Sequence, residues 1–388
     1  MTQDGNGAQQ DRSVSAGPAA ATSPLLRLVL RAIDAAGGWL PFDRCMALAL
    51  YAPGLGYYSR ADRQFGTMPS SGSDFVTAPE LSPLFGATLA RQVDQALQAT
   101  ATDEVWEFGA GSGALAAQLL SGLGDRLARY TIVELSAALR ARQRAILAPH
   151  GDRVHWLDAL PEAMRGVVVG NELLDAMPVQ LLAWDGAAWF ERGVVAAAER
   201  PGETAALRFE DRPTALRPPV EAAFVPGSVT EIHPQAQAFV NTLAERLHCG
   251  AAFFIDYGFP EREYYLPERV GGTLMCHRAH RVDTDPLADV GEKDITAHVD
   301  FSGIALAAQE AGFEVLGYTS QARFLFNCGF ATKMEQAQQR GDWPAVATAQ
   351  KLVAEHEMGE LFKVIGLVKG APAFDAIGFV AGDRSHRL

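Results

Sequence analysis

The sequence predicts an α/β fold with a doubly wound, mostly parallel sheet, and three observations predict it. From Glu104 onward, short apolar strand-like runs alternate with helix-like stretches. Three alternating glycines, Gly109, Gly111 and Gly113, stand where the first of those strands turns into a helix. Acid-bearing segments, Glu134 and Asn171-Glu172, follow the second and fourth strands, where open parallel sheets present ligand-binding groups.

Taken in order, residues 1–24 are rich in Gly, Ala, Gln and Ser and contain no hydrophobic stretch. They predict a disordered tail and match neither a secretory signal nor a transit peptide. Leu25, Leu28, Val29 and Ile33, then Met46, Leu48 and Leu50, predict a helical lead-in. Residues 52–73 predict an irregular loop. Leu81, Phe85, Leu89, Val93 and Leu97, every fourth residue, predict one stripe of an amphipathic helix. Residues 25–100 are thus an expected helical arm ahead of a domain covering 101–388.

Within that domain the predicted strands are 104–108, 130–134, 154–157 and 167–170, with helices after Gly113 and from Ala137. After Asp175 the alternation breaks. Residues 179–184 and 187–195 around Asp185-Gly186 predict a β-hairpin with a two-residue turn, and a second hairpin is expected around Pro201-Gly202. Residues of about 180–234 therefore read as a β-rich insertion. A helix at 236–247, strands at 251–257, 315–318 and 362–368, and a helical stretch at 331–358 broken near Pro344 complete the pattern.

The 388 residues carry a formal net charge of -13, and 48% are hydrophobic. That supports a sizeable core and disfavours nucleic-acid binding, because a negative envelope repels phosphates. No apolar run approaches the ~18–20 residues that span a bilayer, so no membrane insertion is expected. The four cysteines are far apart in sequence and form no CxxC pair, which fits reduced thiols and a cytoplasmic location. His277-x-x-His280 has no Cys or acid at useful spacing to complete a metal site, so no metal is expected.

The glycine turn spans Glu107 to Gly113 and includes Ala110. Glycines there let a ligand approach the backbone and expose helix N-terminal amides. Gly109-x-Gly111-x-x-Ala114 also matches a dinucleotide fingerprint, which keeps an NAD-dependent oxidoreductase open. Glu107 argues the other way. It would face a pyrophosphate with like charge, whereas S-adenosylmethionine brings a sulfonium and an ammonium. Glu134, about 20 residues after Gly113, can accept both ribose hydroxyls of either ligand. Asp158, after the third strand, is a candidate for the adenine amine and equally an ordinary loop acid.

Asn171-Glu172-Leu173-Leu174-Asp175 follows the fourth strand and faces the acceptor side. For an arginine acceptor, carboxylates would grip the guanidinium as a fork and aim one nitrogen at the methyl group. Glu172 is the expected acceptor-binding carboxylate, with Asp175 and Asn171 assisting. For Asp175, capping a following helix is an equal reading. Asp256-Tyr257-Gly258 ends another core strand and is also placed to face the cleft.

Seven blocks in this order resemble the MidA-like methyltransferase family, whose mitochondrial members are complex I assembly-factor arginine methyltransferases. They are Gly56–Tyr58, Asp74–Gly86, Glu107–Gly113, Asn171–Pro178, Asp256–Gly258, Asp294–Phe301 and Leu361–Val364. Two positions depart from the family pattern: Ser73 stands for its usual Gly, and Ala87 for its usual acid. The resemblance implies a class I, Rossmann-like methyltransferase fold, S-adenosylmethionine as cofactor and a protein arginine as acceptor, which for the mitochondrial members belongs to a respiratory-complex subunit. It further implies that Thr77, Pro79 and Glu80 fold over the cofactor, and that the 294–301 segment borders the acceptor cleft with His298 and Asp300. A cofactor-binding assembly factor without turnover and a small-molecule methyltransferase stay open at this level.

Overall fold

The computed structural model describes residues 22–60, 76–197, 206–278 and 281–388. Seven strands form the continuous path of its eight-stranded central sheet, β1 (Glu104–Phe108), β2 (Arg129–Val133), β3 (Val154–Leu157), β4 (Met164–Asn171), β5 (Leu247–Phe259), β6 (Glu314–Ser320) and β7 (Phe362–Lys369), and the two-residue strand Val299–Asp300 pairs with the end of β5. Their spatial order is β3-β2-β1-β4-β5-β7-β6. Strands β1 to β5 are parallel, and β7 inserts between β5 and β6, antiparallel to both. The order reverses between β1 and β4, so their carboxyl ends open the crevice where doubly wound sheets bind ligands.

The strands read as continuous apolar runs because both faces are covered. Val167, Val168 and Val169 of β4 are all fully buried. Val167 and Val169 join one core with helices Pro83–Ala99 and Ala114–Leu123, while Val168 joins a second core with helices Pro234–Arg246 and Phe301–Glu310. The expected stripe from Leu81 is divided. Leu81 ends a short helical turn, Ala78–Leu81, and Ser82 starts the long helix by accepting from the Leu84 amide at 3.3 Å. Gly86 lets that helix close on its neighbour, since a Cβ there would lie 2.5 Å from the Gln118 side chain.

Between β4 and β5 lie four antiparallel strands, Gln180–Trp184, Trp189–Ala196, Leu207–Pro213 and Val229–Ile232. The first hairpin turn has four residues rather than the expected two: Trp184 pairs with Trp189, and the Asp185 carboxylate accepts from the Ala187 and Ala188 amides at 2.7 Å each. The strands around the second expected turn do pair, but Pro201-Gly202 lies outside the described residues. Most of the expected tail also lies outside them. Its end does not: Ser23 caps a helix that begins at Pro24.

That helix (Pro24–Ala35) and the next (Phe42–Tyr51) pack on the insertion through Leu25, Val29, Met46, Leu181 and Val194, forming a third core. A small sheet of Met275–Arg278, Arg281–Asp283 and Asp294–Thr296, which has no clear apolar period in the sequence, completes this lobe. The stretch at 331–358 divides into helices Phe330–Gln339 and Trp343–Val353. The break is set by Gly341 (φ 73°) and the cap from Asp342, with Pro344 inside the next first turn. Beyond Val353 the chain leaves the helix, turning through Glu357 (φ -112°, ψ -118°) before β7. Among the described residues no helix is long and apolar enough to cross a membrane.

Gly193 is the tightest point between arm and insertion. Pro41 pairs with it, and a Cβ there would lie 2.3 Å from the Trp39 indole, whose N–H donates to the Glu210 carbonyl at 2.8 Å. Gly193→Val should cost about 1–3 kcal/mol of overpacking. We expect a lowered Tm and faster proteolytic release of the arm, and unchanged melting and digestion would contradict this docking.

Candidate active site

A cavity of about 860 Å³ opens at the crevice between β1 and β4. Its donor wall is the glycine turn. Gly109 (φ 68°), Gly111 (φ 50°) and Gly113 (φ 88°) all take left-handed backbone that other residues adopt only with strain. Gly109, Ala110 and Gly111 line the cavity with Glu107 and Glu134. Gly113 does not. It caps the following helix behind the turn, where a Cβ would lie 3.4 Å from Gln143. Asp158 is also off the wall: its side chain is 77% exposed and sits 3.6 Å from Arg140, beyond the rim that the expected adenine contact requires.

Glu107 is buried, and Tyr130 donates to its Oε2 at 2.7 Å. Burial pushes its pKa up to about 7, which the Tyr130 bond opposes and the charge of Glu134 reinforces. Burial also raises Glu134, whose oxygens accept from the Ser136 amide at 2.8 Å and Gln143 Nε2 at 3.3 Å. The same Gln143 amide donates to the Gly111 carbonyl at 2.9 Å, so one fully buried side chain ties the glycine turn to the acid. Sequence reasoning missed Gln143. Its signal is position: it stands midway between Leu139 and Leu147 on the buried stripe of an otherwise Arg-rich helix.

The segment ahead of the long helix folds onto this wall. Thr77, Pro79 and Glu80 line the cavity, anchored by Gln118 donating to the Pro79 carbonyl at 2.7 Å. Glu80 keeps a buried oxygen, Oε2, without a hydrogen-bond partner.

The acceptor wall begins where β4 ends. Asn171 is buried, donates to Glu172 Oε1 at 3.0 Å and leaves its own Oδ1 buried and unpartnered. Glu172 has φ 52°, a strained conformation for a residue with a side chain. Asp256 holds it there. Asp256 Oδ2 accepts from the amides of Leu173, Leu174 and Asp175 at 3.1, 2.9 and 3.3 Å, and the Glu172 amide donates to the Ile255 carbonyl at 2.9 Å. Asp256, not Asp175, therefore caps the turn, and it is absent from the cavity wall that its neighbour Tyr257 joins.

Burial pushes the Glu172 pKa up to about 8, with the Asp175 charge adding and hydrogen bonds from Asn171 and the Ala78 amide opposing. Burial pushes Asp175 up to about 6 against a short hydrogen bond from the Tyr257 hydroxyl, and Asp175 Oδ1 remains buried without a partner. Three side chains given no individual role by sequence complete this wall. Tyr58 donates to Asp294 Oδ1 at 2.6 Å and stacks on Tyr51 at 5.6 Å between centroids, while the Tyr51 hydroxyl donates to the Ala176 carbonyl at 2.8 Å. His298 lines the cavity as expected. Asp300 does not: it caps helix Phe301–Glu310, accepting from the Gly303 amide at 3.2 Å. His277 also lines the cavity, whereas His280 is outside the described residues; among those residues no cluster of three metal-ligating side chains occurs.

The wall is thus rich in carboxylates, and several of its buried oxygens await a donor. The chain matches the family model described as "Putative S-adenosyl-L-methionine-dependent methyltransferase" over residues 88–319. It belongs to that family. A crystal structure from Burkholderia thailandensis, described as a "likely methyl transferase" bound to S-adenosyl-homocysteine, is 50% identical, covering 94% of this chain and 96% of that one with a TM-score of 0.88. The curated proteins named mitochondrial protein arginine methyltransferase NDUFAF7 are 27% identical in Danio rerio, over 84% of this chain and 82% of the relative, and 27% identical in Homo sapiens, over 89% and 83%.

This chain is an enzyme of the Rossmann-like, S-adenosylmethionine-dependent methyltransferase class, and the dinucleotide reading of its glycines falls away. The expected cytoplasmic location is corrected as well, because these curated relatives are named as mitochondrial proteins.

The residues fit the cofactor. A cationic sulfonium and ammonium suit a wall that holds unpartnered buried carboxylate oxygens, Glu80 Oε2 among them. Gly109 and Gly111 would admit the amino-acid portion, and Glu134 the ribose. Losing hydrogen bonds to a charged carboxylate weakens binding by about 1.5–3 kcal/mol, or roughly 10- to 150-fold. Glu134→Ala and Gly111→Val should each lose at least the lower figure in S-adenosylhomocysteine affinity by calorimetry, with NADH not binding either variant or wild type. Full affinity in both variants would remove the assigned donor wall.

Proposed function

We propose that this protein methylates arginine side chains of a protein substrate. The observation that carries the reading is the acceptor wall itself: Glu172 and Asp175 on one turn, Asp294 beside them, and unpartnered buried oxygens on Asn171 and Asp175. A guanidinium presents five N–H donors and no acceptor, the complement of such a wall. The names of the curated relatives, which span more than four-fifths of this chain, support the same acceptor.

S-adenosylmethionine, when bound, supplies an electrophilic methyl group on a sulfonium. The chain's own residues do the rest. Glu172 and Asp175 would hold the guanidinium as a fork and orient one nitrogen toward the donor side, so that alignment supplies much of the rate. The reacting nitrogen releases one proton as its new bond forms. Glu172, with its pKa raised to about 8, is suited to hold that proton at a carboxylate oxygen. In this reading residues 101–388 are the catalytic domain. The arm within residues 25–100 and the insertion at about 180–234 form the lobe that meets the substrate protein.

Two measurements test the assignment. Truncating one partner of a buried charged pair costs about 2–5 kcal/mol, so Glu172→Gln should lower kcat/KM for an arginine peptide at least about 30-fold while S-adenosylhomocysteine still binds. The sign of the pH effect follows from the same group. Its charged form grips the cation and its neutral form does not, so peptide binding to wild type should tighten as pH rises from 6 through 8. Arginine stays charged throughout. Glu172→Gln should lose the upper part of that rise. A pH-independent affinity, or full transfer by the variant, would sink the role given to Glu172.

A further inference from the structure

We infer that His298 is a specificity residue for the acceptor, its Nδ1 accepting a hydrogen bond from a guanidinium N–H that the carboxylates leave unpaired. This rests on the arginine reading and assigns the part of the pocket which that reading leaves unused.

The placement comes from a strand. Asp294–Thr296 pairs with Met275–Arg278, and the chain continues extended through Ala297, whose amide donates to the Asp175 carbonyl at 2.9 Å. Alternation then puts Asp294, Thr296 and His298 on the cavity wall, beside the turn that carries Glu172 and Asp175. His298 Nδ1 is buried and has no hydrogen-bond partner. A buried ring nitrogen without a partner is costly unless a ligand supplies one.

The ring is also held in one orientation. It stacks on Phe259 at 5.2 Å with an interplanar angle of 4°, and Tyr257 meets it edge-on at 5.1 Å. Its backbone amide donates to Thr273 Oγ1 at 3.1 Å. Thr273 is fixed in turn by Glu231, fully buried in the insertion, which accepts the Thr273 amide at 2.8 Å. The insertion thus reaches the active site through Glu231, Thr273 and His298. Burial, with Arg269 and Lys363 nearby, pushes the imidazole pKa down to about 4, so the ring is neutral at pH 7 and one nitrogen must be an acceptor.

A neutral acceptor adds direction to the pocket without adding charge. A planar guanidinium can donate to it and to the carboxylates at once, because its five N–H bonds diverge in one plane. An ammonium offers three donors from a single point and cannot reach the ring nitrogen and the carboxylates along separate directions in one plane. His298 therefore favours arginine over lysine.

The test uses the full-length protein with S-adenosylmethionine and matched arginine and lysine peptides. His298→Phe keeps the ring stack and removes the acceptor, and His298→Asn restores an acceptor at the Nδ1 position. The expected result for His298→Phe is a KM for the arginine peptide raised about 10-fold. Its kcat should change less, its S-adenosylhomocysteine affinity should stay at the wild-type value, and its preference for arginine over lysine should narrow. His298→Asn should recover part of the KM. An unchanged arginine KM in His298→Phe overturns the inference while leaving the arginine reading intact. Equal losses in both variants together with lost S-adenosylhomocysteine affinity also overturn it, since the residue would then be structural. If wild type itself labels no arginine peptide, the arginine reading fails first and takes this inference with it.

Discussion

The active site depends on one carboxylate that never touches the cavity. Asp256, at the end of β5, gathers the amides of residues 173–175 onto a single oxygen. Without that acceptor oxygen, three successive N–H groups would lose their partner, and the turn after β4 would have no reason to close. With it, the chain can leave β4 through a left-handed Glu172 and bring Glu172 and Asp175 to the same wall. The strain at Glu172 is of order 1–3 kcal/mol. Multiple charge-assisted hydrogen bonds to one buried acid are of the size needed to offset it. Burial and the charges of Asp175 and Glu172 push the Asp256 pKa up, and the backbone amides oppose them.

Five of the acids that shape the crevice, Glu107, Glu134, Glu172, Asp175 and Asp256, have raised pKa values, and burial is the first cause in each. A fold seldom concentrates carboxylates in a low-dielectric crevice, since each costs desolvation energy. The pattern makes sense where the missing counter-charges arrive with ligands. A methyl donor brings a sulfonium and an ammonium to one side, and a guanidinium brings a cation to the other. The raised values are those of a site prepared for cations, so binding and ionisation are coupled: each cation that enters makes its neighbouring acids easier to ionise.

How much of this could be read from the sequence follows the physics of each element. Strands β1, β2 and β4 were legible because burial on both faces leaves mainly apolar runs, and the glycine turn because left-handed backbone selects glycine. Glu134 and Glu172 were legible from register, one at each strand end. The small sheet carrying Asp294 was not, since its strands are three or four residues long and Arg281–Asp283 is exposed throughout, leaving no period to detect. Gly113 and Asp158 show the limit of motif reasoning. Both sit at correct spacings, yet one serves the helix behind the turn and the other faces solvent. The capping role of Asp256 was not legible, because a cap supplied from another strand, 81 to 83 residues away, leaves no local signal.

The two walls differ in how they are built, and that difference has a consequence. The donor wall comes largely from the β1–β2 region of the core sheet, where the glycine turn and Glu134 are joined through one buried amide, Gln143. Much of the acceptor wall comes from outside that sheet: Tyr51 and Tyr58 from the arm, Asp294 and His298 from the small sheet, and the support for His298 from Glu231 of the insertion. Core-sheet geometry is constrained by packing on both faces, so changes near the glycine turn propagate into the fold. The arm, the insertion and the small sheet share a separate apolar core. Acceptor preference can therefore be altered by residues such as Tyr58 or Glu231 that lie away from the glycine turn, whereas the turn held by Asp256 and the Ala78 amide that bonds Glu172 tie the two walls together.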